Sequence, residues 1–262
     1  MFVEKDDLEE KLAKSLTAEN TSLLPFLPYL LQDLWGLGSN PLDMIKLIKN
    51  NLKDIQKMRV LDLACGKGEA AIKIAETLKA KVQGVDIIPE FIEFSEMKAL
   101  ERGVSDYCYF IVGDINKTVL EEKDYDCSIL GAVGDVLGNP KETILKIKKT
   151  IKPCGYMIID DAYLDCEATA QMNNPNYEYM TYDQWQEVFE ETGMVVVDYI
   201  RNNSDNEQND SNTQKIITRA MELIKLYPQH KKLFEDYIES QKSECEDLEN
   251  NLIGVTWLLK MK

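Results

Sequence analysis

Val60-Leu61-Asp62-Leu63-Ala64-Cys65-Gly66-Lys67-Gly68-Glu69-Ala70 reads as a buried strand that turns through a run of small residues into a helix. Gly66 and Gly68 permit backbone angles closed to other residues, and they let a ligand lie against main chain where a Cβ would collide. The helix that follows aims free N–H groups and its positive dipole end at the same point, which suits a nucleotide-like molecule. A G-x-G pair does not decide the matter by itself, because tight turns use glycine for conformational reasons alone.

Two further strands decide more. Twenty residues after Gly66, the run Val82-Gln83-Gly84-Val85 ends at Asp86, an acidic residue at a strand's carboxyl end. A carboxylate there can accept both hydroxyl protons of a ribose, as in dinucleotide-binding folds. Asp86 could instead cap the helix that begins near Pro89, and the two roles are compatible. Phe110-Ile111-Val112-Gly113 ends in turn at Asp114, which stands where the edge of a base could be read. Three successive strands thus end in small or acidic residues at one sheet edge, where open α/β sheets bind ligands.

Outward from this centre, short apolar runs alternate with helical stretches. Val60 to Leu63, Val82 to Val85, Tyr107 to Val112, Cys127 to Leu130 and Tyr156 to Ile159 read as strands, and Glu69 to Leu78, Pro89 to Arg102 and Pro140 to Ile151 as helices. Such alternation predicts βαβ units and a parallel sheet covered on both faces. Thr181 and Gln184 form a capping-box pattern ahead of Trp185, Val188 and Phe189, with Gly193 placed to end that helix before a strand from Met194 to Ile200.

The ends of the chain read as helical. Leu8, Leu12 and Leu16 recur every fourth residue, and Pro25 to Trp35 is dense in leucine and aromatics. Asn40 before Pro41 is an N-cap with proline at the first helical position. Arg201 to Thr213 is almost wholly polar and reads as a mobile loop. Ile217, Ala220, Met221 and Ile224 mark an amphipathic helix, Pro228 breaks it, and a second helix follows through Leu233, Phe234, Tyr237 and Ile238. Gly254 to Met261 supplies a last strand.

The sequence resembles the class I S-adenosylmethionine-dependent methyltransferases from Met58 to Met261. That family's glycine loop is written D-x-G-x-G-x-G; Asp62, Gly66 and Gly68 match it, and Ala64 replaces the first glycine. The resemblance implies an α/β fold: a doubly wound, mostly parallel seven-stranded sheet with an antiparallel last strand and helical lid additions. It implies an N-terminal helical cap over 1–57, and an S-adenosylmethionine-binding domain over 58–262 with a helical insertion at 202–252. Asp62, Ala64, Gly66 and Gly68 would form the cofactor loop. Asp86, with Ile87 beside it, would hold the ribose hydroxyls, Asp114 and Ile115 would border the adenine, and Gly131 and Ala132 would flank the methionine portion. Lys152-Pro153-Cys154-Gly155 would be the turn before the fifth strand. The helical additions would form a lid that Tyr29, Trp35, Tyr177, Tyr179, Tyr182 and Tyr237 could line, although aromatics at helical spacing are more often core.

Methyl transfer from a sulfonium is an in-line displacement in which the enzyme mostly supplies position and a water-poor site. A general base is needed only if the acceptor still carries its proton when it attacks. Asp135, Asp160, Asp161 and Tyr163 follow the fourth and fifth strands and are candidates; each has the alternative reading of a solvated loop residue or a cap. His230, the one histidine, sits on a polar helix start and reads as a surface residue.

Charge bounds the partners. Lys and Arg total 30 against 46 Asp and Glu, a formal net charge of −16, which disfavours DNA, RNA and anionic membranes. No N-P-P-Y-like or P-C motif of base-modifying enzymes follows the fourth strand, so a small-molecule acceptor is expected. The six cysteines include no C-x-x-C pair, so neither a disulfide framework nor a metal site is expected. With no secretory signal or run of ~18 apolar residues, a soluble cytoplasmic protein is expected. Rival functions are a non-catalytic sensor or partner protein binding S-adenosylmethionine or S-adenosylhomocysteine, an aminopropyl transferase, and, since alanine is also accepted at the last position of G-x-G-x-x-G/A, a hydride-transfer enzyme.

Overall fold

The computed structural model describes residues 2–165, 172, 179–202 and 206–262; Cys166 and Tyr177 lie outside these. Seven strands form one sheet in the order β3-β2-β1-β4-β5-β7-β6. They are β1 (Arg59–Leu63), β2 (Lys81–Asp86), β3 (Cys108–Val112), β4 (Tyr125–Gly131), β5 (Ile151–Leu164), β6 (Met194–Asn202) and β7 (Leu252–Met261). β1 pairs in parallel with β2 and β4, β2 with β3, and β4 with β5. The last strand is antiparallel, as expected. Strand order reverses between β1 and β4, and the carboxyl ends of those two neighbours mark the crevice where open α/β sheets take ligands.

The helices are α1 (Phe2–Ser15), α2 (Leu27–Leu30), α3 (Pro41–Asn51), α4 (Glu69–Leu78), α5 (Pro89–Glu101), α6 (Ile115–Glu121), α7 (Pro140–Ile147), α8 (Tyr182–Glu191), α9 (Asn206–Leu226) and α10 (Lys231–Asn250). The chain divides into two units. One comprises Trp35–Asp161, Asp183–Arg201 and Val255–Lys262; the other comprises Met1–Leu34, Ala162–Tyr182 and Asn202–Gly254.

In the sheet unit, Met44 and Ile48 of α3, Ile72 and Ala75 of α4 and Ile92 of α5 are buried together with Val60, Val82, Phe110 and Ile129. Each such aliphatic side chain removed from water contributes roughly 1.5–3 kcal/mol. Trp257 of β7, fully buried, meets Trp185 and Phe189 of α8 with ring centroids 5.0 and 5.5 Å away. Asn40 caps α3 through Leu42 N and Asp43 N, with Pro41 at the first turn as its sequence predicts. Gly193, at φ 69°, ends the run after α8.

In the helical unit, Ile216, Ala220 and Leu223 of α9 are buried on one face. Phe26 packs edge-on against Phe234 of α10 at 5.1 Å. Arg219 forks onto Asp33 at 2.6 and 3.0 Å and also reaches Glu222.

Three sequence expectations need correction. The polar stretch read as a loop from Arg201 to Thr213 is helical from Asn206. A helix nucleated by the apolar face downstream propagates cheaply through polar residues that contain neither glycine nor proline, and Gln208 bonds Asn212 one turn on at 2.8 Å. The helix expected to run to Ile151 ends at Ile147, and β5 starts at Ile151, paired with Tyr125. Lys152 to Gly155 is therefore a bulge inside the strand: the register shifts between Tyr125 and Cys127, and Cys154 stands at φ 64°. Pro153, without an N–H, belongs at such an irregularity. Between Pro25 and Trp35 the chain forms only a short 3-10 turn and the single turn α2, and Trp35 lies in an irregular segment.

Candidate functional site

The turn after β1 is built as its small residues require. Ala64, Gly66 and Gly68 have φ of 54°, 54° and 74°. A methyl on Gly68 would stand 2.7 Å from Ser95 Oγ, and one on Gly84 of β2 would stand 2.7 Å from Phe110 Cδ1. Glycine at both positions lets β2, β3 and α5 close up beneath the turn. Ala64 is strained where the methyltransferase pattern has glycine, and Ala132, at the end of neighbouring β4, is strained likewise at φ 55°. A non-glycine residue held there costs roughly 1–2 kcal/mol, so the fold concentrates strain on both sides of the crevice.

Asp86 closes the turn from the side. Its Oδ2 accepts the Gly66 N–H at 2.8 Å and its Oδ1 accepts the Ile88 N–H at 3.0 Å. The residue that caps α5 is Ile88, without a side-chain bond, so Asp86 serves the turn ahead of that helix rather than capping it directly. Each carboxylate oxygen keeps a lone pair for another donor. Burial pushes the Asp86 carboxyl up, against the pull of the N–H groups of Ile88, Gly66 and Ile87. Ile87 is half-buried beside it.

Asp62 lies beneath the turn, 4% exposed. It accepts the backbone N–H of Ala71 in the first turn of α4, yet its Oδ2 has no hydrogen-bond partner. Burial first, then the neighbouring Asp86 charge, pushes its carboxyl up to about 7. An orphaned buried oxygen, glycine-exposed main chain and a strand-end carboxylate fit a ligand that carries both positive charge and vicinal hydroxyls.

The Asp62 shift has a testable sign. Between pH ~4 and ~7 the folded protein holds a proton that the unfolded chain, with its ordinary carboxyl near 3.9, has released, so this group's contribution to stability falls as pH rises through that window. Asp62→Asn, which keeps an acceptor for Ala71, removes the loss. Its melting temperature is expected to exceed wild type by about 4 °C or more at pH 8, which corresponds to ~2 kcal/mol, and to match wild type near pH 4. An equal advantage at both pH values would contradict this.

The other expected residues are placed as follows. Asp114 caps α6 through Asn116 N at 2.8 Å, and Ile115 is buried in that helix's first turn. Gly131 ends β4 and Ala132 donates its N–H to Asp160 O at 2.9 Å. Asp135 is half-buried, and its carbonyl accepts the Gly138 N–H at 2.8 Å. Asp161 belongs to the sheet unit, whereas Tyr163, buried and edge-on to Tyr182 at 5.5 Å, belongs to the helical unit. His230 is exposed. Asp160, within β5 beside the end of β4, is buried between partners; its Oδ2 accepts the Asn40 N–H at 2.6 Å and its Oδ1 accepts from Thr256 Oγ1 at 3.3 Å. No local spacing announces that pairing. Nor did any motif announce Asp210, Cys245 and Glu249, whose ligand atoms lie within 4.8 Å of one another and are joined by bonds within the group.

Strand order, the crevice at β1 and β4 and the glycine turn together define the Rossmann-like fold of class I S-adenosylmethionine-dependent methyltransferases. The chain belongs to the methyltransferase domain family, whose profile matches residues 55–246. It is similar to sterol 4-C-methyltransferase strm-1 of Caenorhabditis elegans, 28% identical over 114 residues, which is 44% of this chain and 34% of the relative. It is also similar to the malonyl-[acyl-carrier protein] O-methyltransferase of Halalkalibacterium halodurans, 24% identical over 160 residues, 58% of this chain and 53% of that protein. The match thus spans about a third to a half of these relatives' length. In fold, it resembles a crystallised methyltransferase from Thiobacillus denitrificans in complex with S-adenosyl-L-homocysteine, with a TM-score of 0.74, 18% identity, and coverage of 90% of this chain and 98% of that one. No described helix is long and apolar enough to cross a membrane.

Proposed function

We propose that this protein transfers a methyl group from S-adenosylmethionine to a small-molecule acceptor by in-line displacement. The observation that carries the reading is the turn from Asp62 to Gly68 closed by the Asp86 carboxylate at the point where strand order reverses. Asp86, with Ile87 beside it, takes the ribose hydroxyls; Ala64, Gly66 and Gly68 offer main chain; and Asp62 answers the cofactor's positive charge. Asp114 and Ile115 border the adenine, and Gly131 and Ala132 flank the methionine portion. When bound, the cofactor supplies a methyl group activated by its sulfonium.

The chain's own contribution is orientation and exclusion of water, so no protein nucleophile is required. Asp135, Asp161 and Tyr163 remain the candidates for removing an acceptor proton. A net charge of −16 favours a small acceptor over nucleic acid. Incubation with methyl-labelled cofactor and a deproteinised metabolite extract is expected to leave label in a low-molecular-weight product. Label appearing only in added protein or RNA would overturn the acceptor class. Failure to turn over by folded, cofactor-loaded protein would favour a non-catalytic binder.

A further inference from the structure

Between the helical N-terminal stretch and α3, the six residues Trp35-Gly36-Leu37-Gly38-Ser39-Asn40 run without regular structure past the carboxyl ends of β1 and β4 to Asp160 within β5. Each step touches a different part of the crevice. The Trp35 indole N–H donates to Lys67 O at 3.1 Å, inside the glycine turn. Leu37 stands over Gly66; a methyl on that glycine would be 3.1 Å from Leu37 Cδ1. Gly38 passes Ala132 so closely that its own methyl would stand 2.9 Å from Ala132 Cβ, and Ser39 lies over Gly131. Asn40 N then meets the Asp160 carboxylate.

This segment is held at its ends. Among the described residues, no hydrogen bond fixes Leu37, Gly38 or Ser39, whereas Trp35 is tied to Lys67 and Asn40 to Asp160. Gly38, at φ 115°, occupies a conformation open to glycine and closed to most other residues. The Asp160 anchor is itself set from the sheet: Thr256 of β7 donates to its other oxygen. The Asn40 N–H is the largest favourable contact to a carboxyl that burial first, and then the neighbouring Asp161 and Asp43 charges, push up to about 7.

We propose that Trp35–Asn40 is a strap across the crevice and that Asp160 is its latch, a positioning residue that acts through Asn40. A molecule seated on the glycine turn then exchanges only when the strap lifts. The inference rests on the reading of that turn as the cofactor site, and it adds a residue and a segment that the glycine pattern does not contain. A charge-assisted hydrogen bond from a backbone N–H is strong enough that its loss changes an opening equilibrium about tenfold or more.

Two arms test this on the full chain. In the ligand-free protein, deuterium uptake at the Asn40 amide is expected to rise about tenfold in rate in Asp160→Ala and to return near wild type in Asp160→Asn, whose amide oxygen still accepts that N–H. In stopped-flow displacement of bound S-adenosylhomocysteine, Asp160→Ala is expected to release ligand about tenfold faster, and Asp160→Asn within about threefold of wild type. Trp35→Phe, which cuts the other anchor, is expected to speed release severalfold and keeps the test open if Asp160→Ala does not fold. Unchanged exchange at the Asn40 amide would overturn the latch. Faster association with unchanged release would also overturn it, since Leu37 would then block the crevice rather than retain its occupant. If the exchange arm behaves as expected but wild type binds no S-adenosylhomocysteine, the latch stands and the cofactor reading falls.

Discussion

Asp86→Ala is expected to bind S-adenosylhomocysteine at least a hundredfold more weakly than wild type. Two hydroxyl donors on an ionised carboxylate contribute roughly 1.5–3 kcal/mol each, and losing both exceeds the 2.7 kcal/mol of a hundredfold change. The same substitution releases the Gly66 and Ile88 N–H groups from their present acceptor, so the glycine turn also loses its lateral support. Asp86→Asn keeps one acceptor oxygen and is expected to fall between the two. The measurement is the shift in melting temperature with ligand, read beside a far-ultraviolet spectrum that establishes folding. An unchanged shift in Asp86→Ala would refute the ribose assignment.

The second large effect concerns stability rather than affinity. Gly68→Ala places a methyl 2.8 Å from Ser95 Cβ and 3.1 Å from Phe110 Cε1, at a φ of 74°. Neither neighbour can retreat: Ser95 is fully buried with its hydroxyl on Phe91 O at 2.7 Å, and Phe110 is buried in the sheet's core. Left-handed strain of about 1–2 kcal/mol and overpacking of about 1–3 kcal/mol together cost ~3 kcal/mol, a fall of roughly 6–12 °C. Gly103→Ala is the internal control. Gly103 has a similar φ of 68°, but a methyl there meets nothing within 4 Å. It should lose only the backbone share, ~1 kcal/mol. Equal losses at the two positions would mean that Gly68 is required by conformation alone.

The parts of this molecule that were legible in its sequence are those governed by local rules. The strand endings at Leu63 and Asp86, the proline-led starts of α3, α5 and α7, and the glycine turn between β1 and α4 follow from apolar runs, caps and breakers within a dozen residues of one another. The bulge at Lys152 to Gly155 is the place where the family resemblance implies a turn; Pro153 and Gly155 suit either setting, and only pairing of Ile151 with Tyr125 shows that the strand has already begun. The polar start of α9 carried no apolar period, since its helical state is borrowed from the face formed by Ile216, Ala220 and Leu223. The strap was illegible for a different reason. Asn40 meets a carboxylate 120 positions away, and Trp35 meets a carbonyl 32 positions away, so nothing in the local pattern of either residue records the contact. Asp160 shows the same limit: as a sequence position it is one of two adjacent aspartates after a strand, and its burial and its partners separate it from Asp161 only in three dimensions.

The most direct test of the account is isothermal titration of S-adenosylhomocysteine into the wild-type protein. Saturable binding at one site per chain is expected, together with a stabilisation of ~2.7 kcal/mol when the ligand stands at about 100 times its dissociation constant. Folded protein that takes up neither this compound nor S-adenosylmethionine at millimolar concentration would contradict the assignment of the crevice at β1 and β4.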